Sequence, residues 1–407
     1  MPTNRNINDV LPGELLCQIF QLYLDPQHAK RDRCRLSLVC RLWCQWVEDS
    51  AMLWTNITAP DGLDYLSKSF RNSKEAPLDL AYTGESWRVC SMSVERFLQE
   101  AGPHVARWRS LSVFTFVGPS NWEQAFEALL NLSASQLEML KIVGRGVGWG
   151  QIGIISITIG DRSFPNLTDV FLVDVPASLR TTSCTALRSC ILDRIPRMSL
   201  RDVVGILENS PHLEGLSVKR CTGLKMASEI WSVHTIMLDM LVDIRLQDLD
   251  PLVIHAILSI IRAPNCDNIA IRCAIPDPPS PSILFNPSVG HLLLFFGQKG
   301  LERPLFEVLL DEDEGGEYLW VDVGYISIDV RVDTNGLAEL HNILGWIGSY
   351  SDPQNIYPVS LEFYDFPGLG YLEAFAPPFN VKCLKIYASG ESPLLEHLSH
   401  PRLQGPS

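Results

Sequence analysis

Several groups of residues in the 407-residue chain could do chemistry, and spacing decides among them. Gly148-Trp149-Gly150-Gln151-Ile152-Gly153 fits the Gly-x-Gly-x-x-Gly pattern of a dinucleotide site. That pattern works through a following helix, whose N-terminal N–H groups hold the pyrophosphate. Residues 154–159 are instead rich in isoleucine and predict a strand, so the glycines read as a loop. His397-x-x-His400 could bind a metal, but no cysteine or carboxylate pair accompanies it and Pro401 ends the segment. Cys34, Cys40 and Cys44 fall on one predicted helix and form no Cys-x-x-Cys pair. The acidic run Asp311-Glu312-Asp313-Glu314 lacks the spaced ligands of a calcium loop and predicts a solvated turn. No P-loop, nucleophile elbow or Ser/His/Asp spacing stands out. The expectation is a non-enzyme with no cofactor, no metal and no catalytic residue; an active site built from scattered residues is the alternative.

Composition narrows the class. With 46% apolar and 20% charged residues, the chain can bury a sizeable core. Its net charge of −14 argues against nucleic acid and anionic membranes, which select clustered lysine and arginine. Eleven cysteines, an odd number, point to a reducing compartment. The N-terminus lacks the basic-then-apolar layout of a secretory signal. The best apolar run, residues 292–296, falls far short of the ~20 residues that cross a bilayer. The expected setting is therefore cytoplasmic and/or nuclear, with no membrane partner.

Residues 8–57 differ from the rest. Asp9 can cap a helix that starts near Leu11-Pro12, where proline fits the first turn. Leu15, Leu16, Ile19, Phe20 and Tyr23 give its apolar stripe, and Asp25-Pro26 ends it. A second helix is predicted from about Arg33 to Glu48, with stripes Leu36/Val39/Cys40/Trp43/Val47 and Leu38/Leu42/Trp46. A ~50-residue unit cannot bury two faces of one helix, so one face either seeks a partner or lies on the following domain. The cluster Lys30, Arg31, Arg33, Arg35 reads as a solvated loop and helix start, with steering toward an acidic partner as a further option.

Leu11-Pro12-Gly13-Glu14-Leu15-Leu16, Ile19-Phe20, Leu36-Ser37-Leu38-Val39-Cys40-Arg41-Leu42-Trp43 and Leu53-Trp54 together resemble the F-box in order and spacing. The loop from Asp25 to Arg33 is longer and more basic than that pattern. The resemblance implies a three-helix fold that binds the Skp-type adaptor of a Skp–cullin–F-box ubiquitin ligase and, through it, a cullin. Carried over by position, Leu11, Pro12, Ile19, Phe20, Leu38, Val39, Cys40 and Trp43 are the implied adaptor-contact residues. Each could instead serve only the segment's own core, and that is the expected role of Leu15 and Leu16.

After residue 60 a rhythm replaces the motifs. Leu137-x-x-Leu140-x-Ile142, Leu167-x-x-Val170-x-Leu172, Leu213-x-x-Leu216-x-Val218 and Leu241-x-x-Ile244-x-Leu246 share one pattern. Weaker copies place the middle residue at 78, 111, 140, 170, 190, 216, 244, 269, 308, 328, 361 and 384, about 28 residues apart on average. The last two apolar residues alternate, so they share one face of a short strand. Residues 93–101, 123–132, 200–209, 252–262 and 336–347 carry helical spacing between strands. Strand-then-helix units of this length resemble leucine-rich repeats, which bury their apolar faces only by stacking. An ordinary α/β domain is the alternative.

The predicted fold class is thus an α/β solenoid: an N-terminal three-helix F-box (1–58), then an irregular leucine-rich-repeat-like array (59–407) with a Pro-rich break near 274–288. The layout resembles fungal-type F-box proteins. That resemblance implies a substrate receptor holding an unidentified target protein, or else a scaffold that engages the adaptor without ubiquitin transfer. Residues 1–58 carry six basic and six acidic residues, so the net −14 falls on residues 59–407. The target surface is accordingly expected to be neutral or basic.

Overall fold

A computed structural model of the chain describes residues 11–26, 28–83, 92–115, 134–144, 155–160, 164–175, 177–221, 223–224, 235–266, 268–273, 306–313, 316–323, 326–332, 358–364 and 380–387. The chain divides into two compact units, Met1–Met198 and Ser199–Ser407, so the expected boundary near residue 58 falls inside the first. The glycine loop at 148–153, the Pro-rich stretch and the histidine pair lie outside the described residues.

The first unit opens with helices α1 (Gly13–Tyr23), α2 (Ala29–Ser37) and α3 (Arg41–Asp49). A 3-10 turn, Ala51–Trp54, leads to strand β1 (Asn56–Thr58) and helix α4 (Leu63–Asn72). Strands β2 (Leu78–Thr83), β3 (Trp108–Thr115), β4 (Met139–Gly144), β5 (Ile155–Ile159), β6 (Asp169–Val173), β7 (Ala177–Thr181) and β8 (Ser189–Asp193) follow. Helix α5 (Val94–Ala101), capped by the Ser93 hydroxyl, lies between β2 and β3 in the chain. Strands β1, β2, β3, β4, β6 and β8 pair in that order, all parallel, while β5 and β7 pair with each other.

The register places the repeating apolar residues side by side. Leu80 pairs with Leu111, Leu111 with Leu140, Leu140 with Val170, and Val170 with Cys190. All five are buried, as are Tyr82, Val113, Ile142, Leu172 and Leu192 two residues on. The alternate residues on these strands are half-buried, so one face of the sheet is dry and the other open. The expected first position, Leu78, is two residues early: Leu80 stands beside Leu111, while Leu78 pairs with Trp108 across a bulge before Asp79.

The second unit contains α6 (Leu200–Asn209), β9 (Gly215–Lys219), β10 (Ile236–Met237), β11 (Asp243–Leu249), α7 (Pro251–Ile260), β12 (Ile261–Arg262) and β13 (Asn268–Cys273). Strands β14 (Phe306–Asp313), β15 (Gly316–Val323), β16 (Ile326–Val332), β17 (Pro358–Tyr364) and β18 (Asn380–Tyr387) complete it. Strands β9, β11, β13 and β16 pair in parallel, with Leu216 beside Ile244 and Ile244 beside Ile269. The regular order then breaks. Strand β15 runs antiparallel between β16 and β14, and β14 pairs in parallel with β17, and β17 with β18. Ile326, not the expected Ile328, stands beside Ile269. The acidic run is not a turn: Asp311–Asp313 extend β14, and two residues connect them to β15.

Two backbone devices recur around the parallel strands. In both units a turn precedes the strand, with the N–H three residues before the middle residue bonded to the carbonyl three residues earlier. It occurs at Leu137→Ala134, Leu167→Phe164, Leu187→Cys184, Leu213→Ser210, Leu241→Leu238 and Cys266→Ala263. Four residues after the middle residue, Asp174, Arg194, Arg220 and Asp248 take the left-handed conformation, with φ of 50–53°. That conformation costs a non-glycine residue about 1–2 kcal/mol. It is held because the turned residue after it, Val175, Ile195, Cys221 or Leu249, enters the core. The N–H of Asp174 bonds the Asp193 carbonyl, and that of Arg220 bonds the Gln247 carbonyl.

The helices expected at 93–101, 200–209 and 252–262 are present as α5, α6 and α7. Those expected at 123–132 and 336–347 lie outside the described residues. Strands β5 and β7 occupy connections that the strand–helix rhythm would give to helices. Residues 174–188 are too few for two turns and a packed helix, and a short strand spans the gap.

His104, in the 3-10 turn Gly102–Arg107, stacks on Phe70 of α4 with ring centroids 4.4 Å apart. Burial and the nearby Arg107 charge push its imidazole below the ordinary histidine value, against the smaller opposing effect of Glu75. The folded state therefore resists a proton that the unfolded chain accepts. Stability of the first unit should fall as pH drops below about 6.5, histidine's ordinary value. In His104→Phe, which keeps the stack, the fall should be shallower. Thermal unfolding of the full chain from pH 7.5 to 5.5 checks this.

Candidate functional site

The three N-terminal helices bury one set of apolar residues and leave another uncovered. Leu16, Phe20, Leu24, Leu36, Val47, Leu53 and Trp54 form the core, with Leu11, Trp43, Trp46 and Tyr65 packed against it. On α1, Leu16, Phe20 and Leu24 recur every four residues on the inner side. Leu15, Ile19 and Leu22, at i, i+4 and i+7, form a second stripe that faces solvent. Gly13 lets this helix approach α3: a Cβ there would sit 3.3 Å from the Trp46 indole nitrogen.

The single helix expected from Arg33 to Glu48 is two helices, broken at Leu38-Val39-Cys40. The Ser37 hydroxyl donates to the Arg33 carbonyl at 2.9 Å, and the Leu38 N–H turns to both Cys34 and Arg35 carbonyls. Side-chain back-bonding and a tightened last turn end α2 there. Cys40 adopts extended backbone and caps α3, its Sγ accepting from the Trp43 N–H at 3.5 Å. The intervening residues point outward, with Leu38 84% and Val39 58% exposed.

A buried arginine holds this arrangement in place. Arg33 is 1% exposed. Its Nε donates to the Tyr65 hydroxyl at 2.9 Å and its Nη1 to the Leu53 carbonyl at 2.6 Å. Both Nη atoms reach the Asn56 carbonyl at 3.4 Å. Its guanidinium also lies over the Trp54 and Tyr65 rings, 4.9 and 5.3 Å from their centroids. The neighbouring Asp32 is buried too. Burial acts to raise its carboxyl pKa, but hydrogen bonds from Arg31 and the Asp25 N–H, with the charges of Arg31 and Arg35, hold it below the ordinary value. The reading of Lys30, Arg31, Arg33 and Arg35 as solvated therefore holds for Arg31 and Arg35 alone. Lys30 Nζ donates to the Asp61 carbonyl at 2.6 Å.

Among the residues singled out from sequence, Pro12, Ile19, Leu38 and Val39 are exposed. Leu11, Cys40 and Trp43 are half-buried. Phe20 is 1% exposed and packs on Trp43 with centroids 4.6 Å apart, so it supports the surface from beneath and forms none of it. The pairing of Leu15 with Leu16 as core residues is also corrected, since Leu16 is buried and Leu15 is 45% exposed. Sequence reasoning missed Leu15 and Leu22 as exposed apolar residues, while Leu42, 39% exposed, lies on the stripe it had named with Leu38. The signal was there for the first two, because 15, 19 and 22 form a helical stripe separate from 16 and 20.

Comparison with known families now bears on this segment. Residues 9–59 match the F-box-like family model. Comparison of the chain with curated proteins and with solved structures finds no match. The F-box-like segment thus spans α1–α3 and extends through β1, the strand whose Asn56 carbonyl Arg33 holds. Among the described residues, no group of three or more His, Cys, Asp or Glu side chains could hold a metal, and no helix is long and apolar enough to cross a membrane.

Replacing Arg33 by methionine should leave the Leu53 and Asn56 carbonyls without their donor and cost about 2–4 kcal/mol. Arg33→Lys should lose most of the same amount, because one ammonium cannot serve three acceptors and two rings. Chemical denaturation of the full chain, followed by circular dichroism and by tryptophan fluorescence to which Trp54 is one of ten contributors, checks both.

Proposed function

We propose that this chain is the substrate-receptor subunit of a Skp–cullin–F-box ubiquitin ligase. The observation that carries the reading is the exposed Leu38-Val39 turn, anchored by buried Arg33 within the segment that matches the F-box-like family. Two exposed aliphatic side chains on a fixed turn favour a partner: each is worth about 1.5–3 kcal/mol when fully covered. In this reading Pro12, Leu15, Ile19, Leu22, Leu38 and Val39 meet the Skp-type adaptor directly. Leu11, Cys40 and Trp43 lend it their uncovered parts.

The remaining residues act as the recognition region. Its recurrent turn, parallel strand and left-handed exit support a leucine-rich-repeat-like α/β solenoid that presents an open sheet face to a target protein. Residues 1–58 serve as the adaptor-binding head and 59–407 as the array. Catalysis in such an assembly is proximity: the receptor holds the target near a ubiquitin-loaded enzyme brought by the cullin, and this chain supplies no acid, base or nucleophile. The assembly works in the cytoplasm, the nucleus or both.

Co-purification of the full chain with a Skp-type adaptor and a cullin tests the proposal. Ile19→Asp with Leu38→Asp should weaken adaptor binding by at least about 100-fold, two such side chains at the lower end of their burial value. Both positions are exposed, so the melting temperature should hardly move. Unchanged adaptor binding would refute the assignment. Adaptor binding without cullin recruitment would convert the reading to a scaffold.

A further inference from the structure

The open face of the first unit's sheet carries a pattern that its own fold does not use. On strands β2, β3, β4, β6 and β8, one row across the sheet reads Ala81, Ser112, Lys141, Phe171 and Ile191. The next row, two residues on, includes Phe114, Val143 and Val173. All of these are half-buried. The middle of this apolar field holds one cation. Lys141 Nζ lies 5.1 Å from the Phe114 ring centroid and 5.7 Å from that of Phe171.

Each aspartate on this face has a partner of its own. Asp79 accepts from Arg109 Nε at 3.0 Å and from the Ser110 hydroxyl at 2.8 Å. Asp169 accepts from the Thr168 hydroxyl at 2.8 Å. Asp193 interacts with the Arg194 guanidinium, which is itself paired with Asp174. Lys141 has two aromatic faces and, among the described residues, no carboxylate within ion-pairing distance. The rings fix the ammonium and exclude water from its flanks, which strengthens any anion that reaches it.

We propose that this face seats a segment of the target protein bearing an aspartate or glutamate flanked by apolar side chains, with Lys141 taking the carboxylate and the two rows taking the flanks. The inference rests on the receptor reading for its partner class. Its surface chemistry is independent of the adaptor. A single lysine suits one negative charge. A phosphate group would call for several cations, usually an arginine cluster, and a nucleic acid for more. The acidic surplus of residues 59–407 alone would favour a basic target. At this place on the sheet the one cation held between two rings sets the opposite preference.

The test is selection of a displayed library of random 12-residue peptides on the full chain, without adaptor. Enriched peptides should carry an acidic residue between apolar ones. They should bind Lys141→Met at least tenfold more weakly and Lys141→Arg within threefold of the original. Changing the peptide's acid to its amide should cause the same loss in the unaltered protein and little further loss in Lys141→Met, which ties the two groups in one contact. This arm needs no altered protein, so it stands even if a variant folds poorly. Enriched peptides lacking an acid, equal binding to Lys141→Met, or no enrichment would overturn the proposal. A phosphoserine replacement that binds more than tenfold tighter would overturn the carboxylate assignment. Ile19→Asp with Leu38→Asp should leave peptide binding unchanged, so loss of adaptor binding and loss of this site are read separately.

Discussion

The buried guanidinium of Arg33 is the interaction on which the N-terminal region depends. Taking such a charge out of water costs several kcal/mol unless its donors and faces are all met. Here its Nε meets a hydroxyl, its Nη atoms two backbone carbonyls and its plane two rings. Those partners come from the turn after α3, from β1 and from α4, so one side chain of α2 fixes three later elements at once. Lys68 and Asn72 of α4 add a bracket on Glu48 of α3, 2.7 and 3.1 Å from its carboxylate oxygens. With α2 held at its base, the Leu38-Val39 turn can be apolar and exposed without collapsing inward.

The same coupling explains why the helical segment and the first strands form one unit. Arg107, the last residue of the 3-10 turn before β3, donates to Ser73 and to the Ala76 carbonyl after α4, while His104 stacks on Phe70. The polar groups of the α4–β2 connection are thus satisfied by one residue, Arg107, 34 positions beyond Ser73 and 31 beyond Ala76. Sheet growth from β1 through β8 begins on a base that α2, α4 and the β3 entry all hold.

Much of this was legible in the sequence, for identifiable reasons. The middle residues at 111, 140, 170 and 190 sit side by side in the sheet because each lies in a short alternating run, and period-two burial leaves one register. The head was legible from the order of its motifs. Arg33 was misread because it stands among exposed cations, and nothing local marks which of four is drawn inward. The break at Leu38 was hidden because both new helices continue the apolar spacing across it. Leu15 was misread because neighbouring leucines at 15 and 16 look alike until the helix phase is fixed by Phe20 and Leu24. Strand β15 escaped because its apolar residues Tyr318, Leu319, Trp320 and Val321 are consecutive and do not alternate, and its antiparallel pairing is set by a two-residue link.

The left-handed residue four places beyond the middle residues Val170, Cys190, Leu216 and Ile244 has a consequence for variation. It fixes the exit of the strand, while the spacing between paired middle residues ranges from 20 to 31 in the first unit. Length differences are therefore absorbed away from the open face, whose side chains stay on a lattice about 4.8 Å between strands and about 6.6 Å along them. Each exposed position behaves as one cell of a fixed grid. A single substitution rewrites that cell's chemistry and leaves the coordinates of its neighbours alone.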